Sequence, residues 1–333
     1  MTKRPTRDEV ARLAGVSTAT VSHVFTGKLD KLTPETAERV RAAAAELGYY
    51  PNALAASLSS GASSLVALVI PDYTNPFFAA MAAALEDEAY RHGLLLLAAS
   101  FATGDDAKAR HYAATFMSLC LKAVVMVGWI DPILSAADLA RLERAGTTLV
   151  RIDRPGGPVG GNVVLADNEG GAYEGARHLL RHGRRRLLCV AGPAGMAITD
   201  ERVAGFTRAV AEAGAEAVVR HGGFSRDDGY ALVTSALAES QPDAVFVSSD
   251  FQAVGALAAI EDAGLAVPRD VAVVSFDGTM LATLTRPRLT TVTQPIAALA
   301  REAIGLVVNG ETAGRVEVPT RLDRRDSCGC VAD

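Results

Sequence analysis

Between Arg7 and Thr26 the chain spaces small and branched residues as two short helices crossing over a tight turn would require. Ala11, Gly15 and Val21 stand at relative positions 5, 9 and 15 of a twenty-residue helix-turn-helix: small at the crossing, glycine at the turn, branched apolar in the core. A second helix opening at Thr18, capped by Ser17, turns Thr18, Ala19, Ser22 and His23 outward, where they could meet base edges in a major groove. The plainer alternative is an ordinary helical hairpin. A second group of residues sits at strand ends. Asp250 lies in the turn Ser248-Ser-Asp-Phe-Gln252, at the carboxyl end of a strand, where open α/β sheets bind ligands. Trp129, the only tryptophan, follows another strand end; it, Phe77 and Phe78 offer faces on which a small ligand could stack, although a lone tryptophan also serves as interface core.

Catalytic patterns are thin. No GxSxG, HExxH or P-loop occurs, and Gly156–Gly161 does not open a helix after a strand as a dinucleotide fingerprint must. The pair Cys328-Gly-Cys330 could hold a metal weakly, but it reads as two inert thiols in a frayed tail, so neither metal nor cofactor is expected.

The elements that must position these residues change character along the chain. Residues 1–48 read as short helices: one over Asp8–Ala14, one over Thr18–Phe25, and a third opened by the cap-and-proline pair Thr33-Pro34 and closed by Gly48. Residues 49–63 form an Ala/Ser/Leu linker or marginal helix, uncharged from Pro51 to Ser64, whose order depends on a partner. From Leu65 onward apolar strand-length runs (65–70, 94–98, 123–127, 147–152, 186–191, 217–221, 243–247, 271–275) alternate with amphipathic helices. That alternation predicts parallel sheets covered on both faces, and the glycine-rich stretch at 156–161 suggests two βα lobes.

The 333 residues fit two to three domains, and 49% apolar with 21% charged residues supports substantial cores. No apolar run approaches the roughly 20 residues that span a bilayer, and Met1-Thr-Lys-Arg-Pro lacks an apolar leader core, so a cytoplasmic protein is expected. Four scattered cysteines do not make a disulfide framework. The net charge of −5 divides unevenly, with eight Lys/Arg against six acids in residues 1–60, giving +2 there and −7 elsewhere. A basic head on an acidic body hints at a polyanion partner for the head alone.

Here the chain resembles the LacI/GalR family of bacterial transcriptional repressors. Asp8-Glu-Val-Ala-Arg-Leu-Ala-Gly-Val-Ser-Thr-Ala-Thr-Val-Ser22 looks like the family's opening helix-turn-helix. Thr33-Pro-Glu-Thr36 and Ala45-Glu-Leu-Gly-Tyr-Tyr-Pro-Asn-Ala-Leu-Ala55 look like its third helix and hinge entry. Asn75-Pro-Phe-Phe78, Arg202-Val-Ala-Gly-Phe206, Val274-Ser-Phe-Asp277, Leu289-Thr-Thr-Val-Thr-Gln-Pro295 and Arg325-Asp-Ser327 are similar to its body landmarks, in order.

The resemblance implies an N-terminal all-α helix-turn-helix domain (1–48), a hinge (49–63), and a bilobal α/β body (64–333) like a periplasmic binding protein. The body's two Rossmann-like parallel-sheet subdomains are expected at about 64–161 with 294–320, and 162–293 with 321–333. Thr18 and Ala19 match the positions that read bases. His23 stands where many members carry arginine, and Thr26 where asparagine is common. Ser17, Ser22, Asn52 and Ala55 complete the implied DNA-binding set. Leu58 matches the hinge leucine that wedges into the minor groove of a pseudo-palindrome, the alternative being an ordinary linker leucine. Ala56 replaces a frequent arginine. Arg202 and Asp277 match effector-contacting positions, where a donor fork and a carboxylate suit vicinal hydroxyls; a cleft salt bridge or helix cap is the alternative. Asp153 matches by position, and Ser249 falls where asparagine is frequent. The implied function is a repressor controlled by a small polar effector, a carbohydrate, with no catalytic residues. A homodimer on double-stranded operator DNA, away from any membrane, is expected, and inducer and corepressor remain open. A transport-system sugar-binding protein would share the body without the head; an α/β enzyme would need a nucleophile–base pair.

Overall fold

The computed structural model describes residues 5–26, 29–50, 63–100, 106–128, 135–153 and 161–330. The chain divides into a head unit, Met1–Ser63, and a body unit, Ser64–Asp333.

In the head, helix α1 (Arg7–Ala14) opens with a reciprocal capping box between Thr6 and Glu9. It ends at Gly15, whose left-handed φ of 64° lets the Val16 amide reach back to the Ala11 carbonyl at 3.0 Å. Helix α2 (Thr18–Phe25) starts on the Ser17 hydroxyl, which accepts from the Thr20 amide at 3.1 Å. Helix α3 (Pro34–Leu47) is capped by Thr33 and stopped by Gly48. Val10, Ala11, Ala14, Val21, Val24, Ala37 and Val40 interlock into one core, and Arg39 Nε donates to the Ala14 carbonyl at the end of α1.

The body carries two six-stranded sheets. The first orders its strands β11-β5-β4-β3-β1-β2 and the second β12-β10-β9-β8-β6-β7, so each repeats one doubly wound order with a switch between its first and third strands. In the first, β1 (Leu65–Ile70) lies between β2 (Leu95–Ser100) and β3 (Ala123–Val127), followed by β4 (Thr148–Ile152) and β5 (Asn162–Ala166). In the second, β6 (Arg186–Ala191) lies between β7 (Glu216–His221) and β8 (Ala244–Val247), followed by β9 (Ala272–Asp277) and β10 (Thr290–Thr293). β1, β3, β5, β8 and β9 are buried along their whole lengths, as parallel strands under helices on both faces must be. β11 (Arg315–Val318) joins the first sheet and β12 (Arg321–Asp323) runs antiparallel on the second.

The chain therefore passes between lobes three times, after β5, after β10 and between β11 and β12. Residues 162–166, expected to begin the second lobe, form a strand of the first. Their short run Asn-Val-Val-Leu-Ala is fully buried and pairs with β4, which settles them there.

Candidate functional site

In the head, α2 separates two faces. At about 100° per residue, Thr18, Ala19, Ser22 and His23 fall on the side opposite Val21 and Val24, which are buried. Ala19 is exposed, and Thr18, Ser22 and His23 are half-exposed. Ser17 lies at the lip of this face with its hydroxyl engaged by the Thr20 amide and, at 2.9 Å, by the Thr20 hydroxyl. Thr26 closes the helix, its hydroxyl donating to the Ser22 carbonyl at 2.8 Å. Asn52, Ala55 and Leu58 lie outside the described residues, as does Trp129 in the body.

In the body, the carboxyl ends of both sheets face a cavity of about 310 Å³. That is near the lower end of ligand cavities, which run from roughly 300 to 1,000 Å³. Its apolar lining is half aromatic, with Phe77 and Phe78 from helix α4 (Pro76–Arg91), Phe224 and Phe251 beside Pro71, Pro193, Met196 and Ile198. Phe77 and Phe78 meet edge to face at 5.4 Å, and a side chain at Gly128 would press on the Phe78 ring. The polar groups converge on Arg202.

Arg202 lies on helix α8 (Ala197–Glu212), which packs tightly on helix α7 (Asn168–Arg181); at Gly205 any Cβ would run into the Glu169 carbonyl. Arg202 as a whole is 2% exposed. Nε donates to Asn168 Oδ1 at 2.9 Å, Nη1 to the Ser248 carbonyl at 2.7 Å, and the guanidinium sits 3.9 Å above the Phe276 ring. Asp277 Oδ1 is 3.8 Å from Nη1 and accepts from Gln294 Nε2 at 2.9 Å. Asp153, at the end of β4, accepts from the Ala166 amide at 3.3 Å. Among the described residues only Asp153, Gln241 and Asp277 are non-glycines with positive φ, so two of the three lie in this cleft. Backbone strain of this kind collects where side-chain aim matters more than local comfort.

Burial dominates the charge balance. It lifts Asp277 to about 8, against the pull of Arg202, and lifts Asp153 in the same direction, again opposed by Arg202. It lowers Arg202, which Asp277 and Asp153 support. One guanidinium thus serves two carboxyls that share too little solvent to ionise freely. The cleft offers donors on Arg202 and Gln294, and acceptors, or a donor when protonated, on Asp153 and Asp277. Gln294 Oε1 is itself buried without a partner.

Of the residues expected at the effector site, Phe77, Asp153, Arg202, Ser249 and Asp277 line the cavity. Asp250 does not. It is fully buried at the start of helix α10 (Asp250–Asp262), and its carboxylate is saturated. It accepts from the Ser275 hydroxyl (2.6 Å), the Thr291 hydroxyl (2.8 Å), the Thr279 amide (2.6 Å) and the Thr279 hydroxyl (2.9 Å). Asp250 thus pins the β9–β10 region beneath the cleft. Ser249 faces the cavity, but its hydroxyl caps α10 at the Gln252 amide (3.1 Å). Sequence reasoning missed Asn168 and Gln294, which hold Arg202 and Asp277, and Phe224 and Phe251 in the wall.

Comparison with known proteins follows the same division. The family described as bacterial regulatory proteins, lacI family, matches residues 6–52, and the periplasmic binding protein-like domain matches residues 176–328. The HTH-type transcriptional regulator DegA of Bacillus subtilis (strain 168) is 31% identical over 312 residues, 92% of this chain and 90% of its own. A solved transcriptional regulator CelR–cellobiose complex is 31% identical and superimposes with a TM-score of 0.72 over 97% of this chain and 100% of that one. The lac repressor dimer bound to operator and the anti-inducer ONPF, at 25% identity, gives a TM-score of 0.83 over 98% and 99%. Head, body and near-full-length identity agree: this chain belongs to the lacI family of bacterial regulatory proteins.

Proposed function

We propose that this chain is a homodimeric, cytoplasmic repressor of transcription. It grips a pseudo-palindromic operator through paired heads, and a small polyhydroxylated effector, a sugar or sugar derivative, controls that grip from the cleft. The observation that carries the proposal is the buried Arg202, 3.8 Å from Asp277 and within electrostatic reach of Asp153 in a cavity walled in part by aromatic rings, in a chain whose head presents a recognition helix. Hydroxyls answer both halves of that polar set, and aromatic walls suit the apolar face of a sugar ring. CelR was solved with cellobiose, and the lac repressor dimer with operator.

Thr18 and Ala19 would read bases, by a hydroxyl hydrogen bond and by contact with a thymine methyl. Ser22 and His23 would flank them, with Ser17 and Asn52 at the backbone. Ala55 and Leu58 would enter the minor groove at the dyad, where a leucine wedge from each protomer unstacks one step. Exposed Leu95 and Leu97 on edge strand β2, with Met280 and Leu284 on the second lobe, give apolar surface a second copy would cover. Effector binding shifts the balance between lobe arrangements and so the spacing of the hinges.

An enzyme is the weaker reading. The two serines lining the cleft, Ser225 and Ser249, are both helix caps: the Ser225 hydroxyl is tied into a reciprocal capping box with Asp228, and the Ser249 hydroxyl is held by Gln252. Among the described residues no helix is long and apolar enough to cross a membrane.

The test is selection of bound sequences from a random DNA pool, followed by a sugar panel scored for release or tightening. A consensus palindrome and one class of effective sugars are expected. Binding that never prefers one sequence over bulk DNA would overturn the repressor, and turnover of a sugar abolished by Asp277→Ala would favour an enzyme.

A further inference from the structure

The cysteine pair near the chain's end is not frayed. Cys328 lies in a short turn, Asp326–Cys328, is 1% exposed, and belongs to the core of the second lobe. The turn is locked on both sides. Asp326 receives Arg288 through two bonds of 2.8 and 3.0 Å, and the Ser327 hydroxyl donates to the Val273 carbonyl (2.7 Å) while accepting from the Thr290 amide (2.9 Å). Thr290 Oγ1 meets Cys328 Sγ at 3.0 Å, and the Cys330 amide donates to the same sulfur at 3.4 Å.

Against this turn stands the carboxyl end of α7. His178 and His182 are four residues apart on one helical face, their rings 4.7 Å apart and edge to face. Cys330 Sγ is 3.3 Å from Nε2 of each. One ligand atom from each of His178, His182, Cys328 and Cys330 lies within 4.8 Å of every other. Zinc–sulfur bonds of about 2.3 Å and zinc–nitrogen bonds of about 2.0–2.1 Å in a tetrahedron set ligand-to-ligand edges of roughly 3.3–3.8 Å. The Cys330–histidine distances already match the short end of that range, and the widest pair must close by about an ångström.

We propose that His178, His182, Cys328 and Cys330 form a binding site for one divalent transition metal of the zinc class. The donor set selects the ion. Two thiolates and two imidazoles suit a tetrahedral, borderline-soft cation, and they do not suit magnesium or calcium, which take oxygen. The His-x3-His spacing on a helix end is that of zinc-binding motifs, and two thiolates neutralise the ion's double charge beside Arg184 and Arg324. Binding releases the thiol protons to solvent and changes no oxidation state. The ion would clasp the final turn of the chain to the end of α7, on residues separate from those lining the effector cavity.

The test uses the full chain, kept reduced and stripped of metal, titrated with cobalt(II) and zinc(II). One equivalent per chain is expected, with the thiolate-to-cobalt charge-transfer band and the intense visible bands of tetrahedral cobalt. Zinc should raise the melting temperature. Cys330→Ala and His182→Ala change residues at the rim of the cluster and should still melt cooperatively. Each should bind cobalt more than ~10-fold more weakly, since outer-shell changes alone cost 10–100-fold. Neither should be stabilised by zinc. No uptake at one equivalent, unchanged affinity and spectrum in both variants, or loss of the band on replacing the exposed Cys120 with serine would each overturn the proposal.

Discussion

Asp277→Asn isolates the electrostatics of the cleft. The substitution keeps shape, and its carbonyl oxygen can still accept from Gln294 Nε2, but the new side chain cannot ionise. In the folded protein burial lifts the Asp277 carboxyl from 3.8 to about 8. Between those values the folded chain binds one more proton than the unfolded chain at this position. The stabilisation is therefore complete below 3.8 and is lost as pH rises through about 8. A single proton sets a slope of about 1.4 kcal/mol per pH unit inside that window, so the loss between about pH 5 and 7 is on the order of 2–3 kcal/mol. Asp153 and Asp250 are also raised by burial, but they titrate in both proteins and largely cancel. The measurement is urea unfolding of the body at several pH values for the wild type and the variant. The wild-type advantage should shrink steadily with pH and level off above about 8. Parallel pH curves would show that Arg202, 3.8 Å away, keeps Asp277 ionised throughout, and would refute the claim that burial wins.

Asp250→Ala strands four donors from Ser275, Thr279 and Thr291. At about 1–3 kcal/mol for each unsatisfied buried group, the body should unfold several kcal/mol more easily; a fully stable variant with a lost effector response would return Asp250 to the ligand site. Arg202→Ala should leave operator affinity intact in gel-shift titration while abolishing the effector response, and an unchanged response would remove Arg202 from the site. Leu58→Ala should weaken specific operator binding far more than binding to random DNA, whereas equal losses would contradict the minor-groove wedge.

What the sequence made legible was local. Ala11, Gly15, Ser17 and Val21 lie within one short stretch, each fixed by the turn it must make, and the head follows that pattern. The long apolar strands of the body were equally plain, because burial on both faces leaves unbroken runs. The strands β5, β10, β11 and β12 were not: β10 (TTVT), β11 (RVEV) and β12 (RLD) interleave polar with apolar residues over three or four positions, and β5 follows directly on the glycine-rich stretch that suggested the lobe boundary. Position proved easier to read than direction. Asp250 does stand at a strand end, but its side chain points under the cleft toward hydroxyls supplied from as far away as Thr291. Asn168 and Gln294 escaped notice because a lone amide carries no sequence signature. His178 and Cys330 lie 152 residues apart, beyond any motif window.

The cleft's polar groups are placed where a ligand can act on the lobes together. Asp153 directly follows β4 of the first sheet, Asp277 ends β9 of the second, and Arg202 lies near both carboxyls. Asn168 and Gln294, which hold Arg202 and Asp277, stand on two of the three passages between lobes. Moving a two-state balance from 1:99 to 99:1 takes about 5.5 kcal/mol of differential binding. Hydrogen bonds to charged groups supply roughly 1.5–3 kcal/mol each, so two to four such bonds made in only one lobe arrangement suffice. Arg202 offers charged donors for two of them, and neutral bonds to Gln294 and the protonated Asp277, at about 0.5–1.5 kcal/mol each, make up the rest. A monohydric alcohol, with a single hydroxyl, cannot engage that many at once. Effector strength should therefore rise with the number of hydroxyls a neutral ligand can present together. A panel running from simple alcohols through polyols to sugars, scored by the shift in operator affinity, would show that order, and a monohydric alcohol acting as strongly as a sugar would break the link between the cleft and the lobes.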